Sequence, residues 1–374
     1  MTRRSPALMY VVFVLLVAAA LVASAAIGAF TFTPARMASY LAQGAGWIPA
    51  RAPDALDRAV FLQLRLPRVL LSALTGAVLG VSGTLMQGLF RNPIVEPGLA
   101  GTSAGAALGA AFVLVLGGSA MAFTAPLGAL AVPLVAFAGA FAATMIVYRL
   151  SSSFGKVNVF TLLLAGIAVN AMCGAGTGFL SYIARDPQAR NITFWNLGTF
   201  TTADWRAVGF VALSFVVCVG WALRYGKALN ALMLGEDEAT LLGFDSHRLI
   251  LRLLVLNTFM VAMTTAMVGV IAFVGLVVPH MLRMLRSSDY TFLLPASALL
   301  GAFLMLLVDI LARVVVRPEN HRESARPDGQ VHLVKDGSLS DLIAHPAQLN
   351  HRIPRRAVAD GGGSRERRGP RTLP

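Results

Sequence analysis

The segment Val69-Leu-Leu-Ser-Ala-Leu-Thr-Gly76-Ala-Val-Leu-Gly80-Val-Ser-Gly83-Thr-Leu-Met86-Gln87 holds no charged side chain. Coiled as an α-helix rising about 1.5 Å per residue, it crosses most of the roughly 30 Å hydrocarbon core of a bilayer. Runs of the same kind recur at 9–30, 98–116, 125–148, 159–182, 208–223, 249–270, 273–284 and 292–316, of which 273–284 is short for a full crossing. The chain is therefore read as all-α, a polytopic bundle of about nine transmembrane helices. The first run follows Thr2-Arg3-Arg4 and ends near Ala23-Ser24-Ala25-Ala26, as a cleaved signal peptide would. Its apolar length exceeds the ~7–15 residues of a signal core, which favours a retained span.

Composition agrees. Hydrophobic residues make up 56% of the chain and charged residues 13%, with a mean hydropathy of +0.70. A soluble domain is about 25% charged, so a cytosolic enzyme, a disordered scaffold and a disulfide-stapled secreted module are excluded. A formal charge of +13 would suggest nucleic acid in a soluble protein. Here Lys and Arg fall in loops and in the C-terminal tail, where membrane topology and partner docking account for them. Cys173 and Cys218 lie inside apolar runs and read as small buried hydrophobes. Three connections exceed simple turns: 31–67, polar with interspersed aromatics; 184–206, with Phe194-Trp195-Asn196 as an interfacial element; and 226–247, expected to form one or two short amphipathic surface helices.

Small residues are spaced for close helix packing: Gly76 and Gly80, then Gly101, Gly105 and Gly109. Gly174-Ala-Gly176-Thr-Gly178 lies within a span and is assigned to packing rather than phosphate binding. No Walker A sequence, HExxH or CxxC occurs, no paired carboxylates suggest hydrolysis or metal catalysis, and His321, His332, His345 and His351 lack ligand spacing, so neither catalytic residues nor a metal site are expected. Asp309 is the clearly intramembrane carboxylate; Glu96 and His280 sit near span ends. Arg313 follows Asp309 by one helical turn, which favours an ion pair over a proton relay. With neither nucleotide motif nor relay, the energy for any transport must come from another subunit.

Several motifs occur in order: Arg65-Leu-Pro67-Arg68; Gly83-Thr-Leu-Met86-Gln87-Gly-Leu-Phe-Arg-Asn92-Pro93-Ile94-Val-Glu96-Pro97-Gly98; Leu234-Gly235-Glu236 with Ala239 and Leu242-Gly243; Phe273-Val-Gly275-Leu-Val-Val-Pro279-His280; Leu294-Pro295; and Asp309-Ile-Leu-Ala-Arg313. Over roughly residues 9–318 the chain resembles FecCD-type permeases, the membrane subunits of ABC importers for iron–siderophores, haem and cobalamin. The resemblance implies a permease without covalent chemistry in the bacterial cytoplasmic (inner) membrane. It implies pairing with a second permease copy or paralogue, with a translocation path at the dimer interface. ATP and Mg would be held by a partner ABC ATPase, and a periplasmic or lipid-anchored binding protein would deliver the ligand. Mapped by motif, Gly235, Glu236, Ala239, Leu242 and Gly243 would lie on the ATPase-coupling element. Arg65, Arg68 and Arg313 would face outward and pair with acidic residues of the binding protein, a task suited to the guanidinium fork. Asn92, Pro93 and Ile94 would form part of the inner gate, the proline breaking its helix, with Met86 and Gln87 along the path or simply packed. His280 is assigned a structural, hydrogen-bonded role.

The sequence departs from the family after Arg317-Pro318-Glu319. A Pro-x-Glu-Leu-Pro-x-Gly segment and a tenth apolar helix are expected there, and 320–374 instead reads as a basic, disordered tail containing Gly361-Gly362-Gly363 and Arg365-Glu-Arg-Arg368. The organisation is thus a permease domain, 1–318, and a tail, 319–374, whose abrupt composition fits a frameshift near Asn320 and implies weakened insertion. The alternatives are an ion-coupled secondary transporter using Asp309 and a non-functional truncated remnant. An uptake assay on Asp309→Asn separates relay from ion pair: loss of a proton relay abolishes transport, whereas loss of a pairing partner leaves part of it.

Overall fold

The computed structural model describes residues 6–28, 31–49, 54–117, 125–153 and 156–315. Helix α1 (Pro6–Ala26) is followed by α2 (Pro34–Gly44), α3 (Ala55–Leu89), α4 (Thr102–Leu116), α5 (Ala131–Ser151), α6 (Val159–Ile183) and α7 (Asp186–Leu197). Then come α8 (Trp205–Leu232), α9 (Glu236–Leu241), α10 (Ser246–Val268), α11 (Val274–Leu285) and α12 (Tyr290–Val315). The all-α expectation holds apart from a two-stranded antiparallel ladder, β1 (Ser152–Ser153) with β2 (Lys156–Val157). Among the described residues, seven helices are long and apolar enough to cross a membrane. The shorter apolar helices α4 and α11 supply the remaining expected spans. The tail 319–374 lies outside the described residues.

Within 31–67, the polar connection expected to exceed a simple turn, helix forms at α2 and at the start of α3. Thr33 caps α2 by accepting a hydrogen bond from the Arg36 amide (3.4 Å), and α2 buries Tyr40 against Phe32 and Phe61, with ring centroids 6.1 and 5.9 Å away. The scattered aromatics thus make a small core of their own. Helix α3 begins fourteen residues before the apolar run expected to form it, passing through a π-turn at Val60–Arg65. There the Leu66 amide donates to the Phe61 carbonyl, and Pro67 has no N–H to offer; the spare Leu62 carbonyl accepts from the Trp205 indole at 3.1 Å. Helix α8 likewise runs on to Leu232, so 226–232 continues a span instead of lying on the surface; only α9 is a separate short helix.

Helix α3 is central, with 83% of its best spanning window buried against 17% for α1. Its glycines explain how. A Cβ on Gly76 would lie 2.1 Å from the Gly301 carbonyl oxygen of α12, and one on Gly301 would lie 2.2 Å from the Gly76 oxygen. Gly83 meets the Gly275 oxygen of α11 at 1.8 Å by the same construction, and Gly105 meets the Gly139 oxygen of α5 at 2.5 Å. Backbones touching this closely replace the hydrophobic drive that lipid cannot supply. Hydroxyls pin the same seams: Thr84 to Ser297 at 2.7 Å and Thr102 to Thr144 at 3.0 Å. By contrast, nothing lies within 4 Å of a Cβ on Gly174 or Gly178, so the packing role expected there is confined to Gly176, which faces Leu108.

A matched pair of variants tests this contrast. Gly83→Ala should lower the thermal stability of detergent-purified protein by at least the ~1–3 kcal/mol of an overpacked core site, because the obstacle is backbone. Gly174→Ala should melt with the wild type.

Candidate functional site

Helix α9 is cut out by its glycines. Gly235, at φ 143°, precedes it and Gly243, at φ 90°, follows it, and neither conformation suits a residue with a Cβ. Three carboxylates, Glu236, Asp237 and Glu238, occupy the first turn, where the exposed amides favour negative charge. Ala239 is fully buried against the bundle, whereas Leu241 and Leu242 are 89% and 60% exposed. Thr240 and Ser246 hydroxyls both donate to the Glu236 carbonyl at 2.8 Å, tying α9 to the start of α10. Beside it opens a cleft of 820 Å³ lined by Glu236, Thr240, Phe244, His247, Ile250 and, from β2, Val157. The expected coupling residues are thus brought together, and Leu241, which the motif did not mark, is the most exposed apolar side chain among them.

The expected gate segment reaches this element directly. Helix α3 ends before Pro93 does anything to it. The Asn92 amide donates to the Gln87 carbonyl (3.2 Å), the Arg91 amide donates to the Gly88 carbonyl (3.2 Å), and Arg91 takes a left-handed φ of 51°. This is a Schellman stop with arginine where glycine is usual, and Pro93 simply follows it. Holding a non-glycine residue there is strained, and its side chain is aimed at α9: Arg91 pairs with Glu236 at 3.3 Å. Asn92 Oδ1 accepts from the Ile94 amide at 3.0 Å, presenting Ile94 74% exposed. Arg91 was missed by motif reading, although a lone cation between Phe90 and Asn92 was visible.

Met86 and Gln87 are buried within the protomer, so in this conformation neither lines an open path. Met86 is core packing. Gln87 accepts from the Arg283 guanidinium of α11, which also donates to Tyr290 at 3.3 Å. Asn230, at the end of α8, donates to Asp289 (2.7 Å) and accepts from the Tyr290 amide (2.9 Å). Burial alone would raise the Asp289 pKa, but hydrogen bonds from Asn230 and Thr291 and the charge of Arg286 outweigh it, leaving the carboxyl below its ordinary value. The non-helical stretch after α3 is satisfied inside the bundle: Asn257 donates to the Pro97 carbonyl, Asn170 to the Gly98 carbonyl (both 3.3 Å), and Glu96 accepts from the Phe273 amide at 3.1 Å. His280 is exposed and makes no hydrogen bond among the described residues, contrary to the structural role expected of it.

The arginines gather at the opposite end of α3. Asp309 pairs with Arg313 at 3.0 Å, as its spacing suggests, and also with Arg68 at 2.8 Å. Arg313 donates further to the Ser24 and Ile27 carbonyls at 3.1 and 2.7 Å, and Arg65 donates to the Ile27 carbonyl as well. The guanidiniums thus cap the C-terminus of α1, where cations are favoured. Removing Asp309 would strand two cations, the costly way to break a buried pair. From Arg68 to Leu89 the helix spans about 32 Å at 1.5 Å per residue, so the arginine cluster and the Glu236 element sit at opposite membrane surfaces.

Such a bundle, polar at two ends and tied through one central helix, is that of a multi-pass membrane protein. The model of the FecCD transport family matches residues 15–322. The hemin transport system permease protein HmuU of Yersinia pestis is 43% identical over 263 residues, 69% of this chain and 76% of its own length. The vitamin B12 import system permease protein BtuC of Pectobacterium atrosepticum is 34% identical over 279 residues, covering 74% and 81%. A solved structure described as an inward-facing conformation of a metal-chelate type ABC transporter superposes with a TM-score of 0.71 at 29% identity, over 84% of this chain and 93% of that one. The chain belongs to the FecCD transport family.

Because the depressed Asp289 pKa reflects bonds to its charged form, its contribution exists above the ordinary carboxylate value and fades as pH falls through the lowered one. Asp289→Ala should cost about 1 kcal/mol at pH 7, the worth of a helix cap. Thermal melts of the two proteins should draw together once pH falls below the ordinary carboxylate value of about 3.9 and meet only below the lowered one.

Proposed function

We propose that this chain is the membrane subunit of an ABC importer for an iron chelate, haem foremost, in the bacterial cytoplasmic membrane. The observation that carries it is the Arg91–Glu236 contact, set beside 43% identity to a hemin permease. A short acidic helix with two exposed leucines, seated on the end of the central helix, is a surface on which a partner can push. The push would reach the Asn92–Ile94 segment through one residue. The chain performs no covalent chemistry in this reading; a separate ATPase docks around Glu236 and Leu241 and supplies the power.

At the other surface Arg68, held by Asp309 and the most open of the three arginines, offers its guanidinium to an acidic binding protein that delivers the cargo, whereas Arg65 and Arg313, expected beside it, are turned inward onto the end of α1. The outward face of α6, where Phe160, Met172 and Phe179 are exposed, suits a second copy or paralogue across a shared path. Cobalamin is the second cargo reading, favoured by the relationship to the B12 permeases.

The test is uptake of hemin and of cyanocobalamin into vesicles carrying this chain with its ATPase and binding protein. Hemin uptake that requires ATP and both partners supports the proposal, and preference for cyanocobalamin selects the second reading. Transport by the chain alone would sink both. Glu236→Arg should cut uptake at least about tenfold, equivalent to a 1.4 kcal/mol loss of docking. Its melting temperature should stay near wild type, since an exposed ion pair is worth only ~0–1 kcal/mol.

A further inference from the structure

Between α8 and α10 runs an open apolar groove of 430 Å³, lined by Val217, Trp221, Tyr225, Arg252, Val255 and Phe259. It lies apart from the coupling element, the gate segment and the arginine cluster. The two helices run antiparallel, so the groove has a deep end, at Val217 and Phe259, and a surface end, at Tyr225 and Arg252. Its lining is almost wholly hydrocarbon, and Val217 and Trp221 are each about half exposed.

The polar end is what gives the groove a specific occupant. Arg252 lies six residues into α10, roughly 9 Å along its axis, in the company of Leu251, Leu253 and Leu254. Among the described residues it forms neither an ion pair nor a hydrogen bond, and the nearby cations Arg224 and Lys227 form no ion pair either. Arg248, one turn earlier, is already matched by Asp245 at 3.0 Å, and the Glu236 carboxylate is taken by Arg91. An arginine inside a spanning helix is expensive unless it finds an anion or water. Trp221 and Tyr225 beside it are the amphipathic rings that settle at headgroup depth.

We propose that this groove binds an anionic phospholipid, one acyl chain lying between α8 and α10 and the headgroup phosphate held by Arg252. Charge complementarity selects the class: a basic end on an apolar slot between spanning helices recognises an anionic headgroup with its tail attached. A zwitterionic lipid fills the slot without matching its excess positive charge.

Trp221 reports on the site directly. The full chain is reconstituted in phosphatidylcholine vesicles doped with brominated-chain phosphatidylglycerol or, at equal mole fraction, brominated-chain phosphatidylcholine. The Trp221 emission is isolated by subtraction of Trp221→Phe. Brominated phosphatidylglycerol should quench it at a lower mole fraction than brominated phosphatidylcholine. Arg252→Gln should weaken that preference about fivefold, the worth of one cation beside an anionic lipid, while Arg252→Lys retains most of it. Equal quenching by the two lipids would overturn the proposal, as would a preference that survives Arg252→Gln. Absence of quenching by either would mean that protein covers the groove, and would overturn it equally. The wild-type comparison of the two lipids decides the matter even if the Arg252 variants fold poorly.

Discussion

Two backbones in contact, Gly76 against Gly301, set the rest of the structure. At that crossing α3 and α12 approach until each carbonyl occupies the space a methyl group would need on the other helix. Lipid tails are as apolar as leucine, so helices in a bilayer associate through close van der Waals contact and interhelical hydrogen bonds. The same central helix closes on α11 at Gly83 and on Ser297 through Thr84. Because α3 is gripped along its length, its two ends become fixed points.

Those ends carry different chemistry for one geometric reason: the rigid helix between them matches the thickness of a bilayer. At one end Asp309 holds Arg68 and Arg313, whose remaining donors, with Arg65, close the carbonyls at the end of α1. At the other, Arg91 holds a left-handed conformation and touches Glu236. The strained residue therefore stands at the junction between a surface helix and a segment of irregular backbone. Displacing α9 should move Arg91, and Arg91 is the neighbour of Asn92.

Irregular backbone inside a membrane is tolerable only where protein satisfies it. Here the work falls to amides placed on neighbouring spans: Asn257 from α10 and Asn170 from α6, with Ser82 of α3 bonded to Asn257. The two amides hold the turn after α3 from two spans without a charge of their own, and Ser82 steadies Asn257. A turn so built can shift by exchanging neutral hydrogen bonds, which is less costly than separating buried ions.

Membrane class, the approximate positions of the spans, the close-packing glycines of α3, the Asp309–Arg313 pair and the family were all legible in the sequence, because each is a property of local composition or spacing. Hydrocarbon thickness dictates the length of a span, and one helical turn dictates that residues four apart meet. What only the tertiary structure decided was which distant groups share a place. Arg68 joins Asp309, Arg91 joins Glu236, Met86 turns inward, His280 turns outward, 34–44 and 55–66 are helical, and 226–232 extends a span instead of lying on the surface. Such outcomes depend on how helices far apart in the chain are set side by side, and no local pattern encodes that.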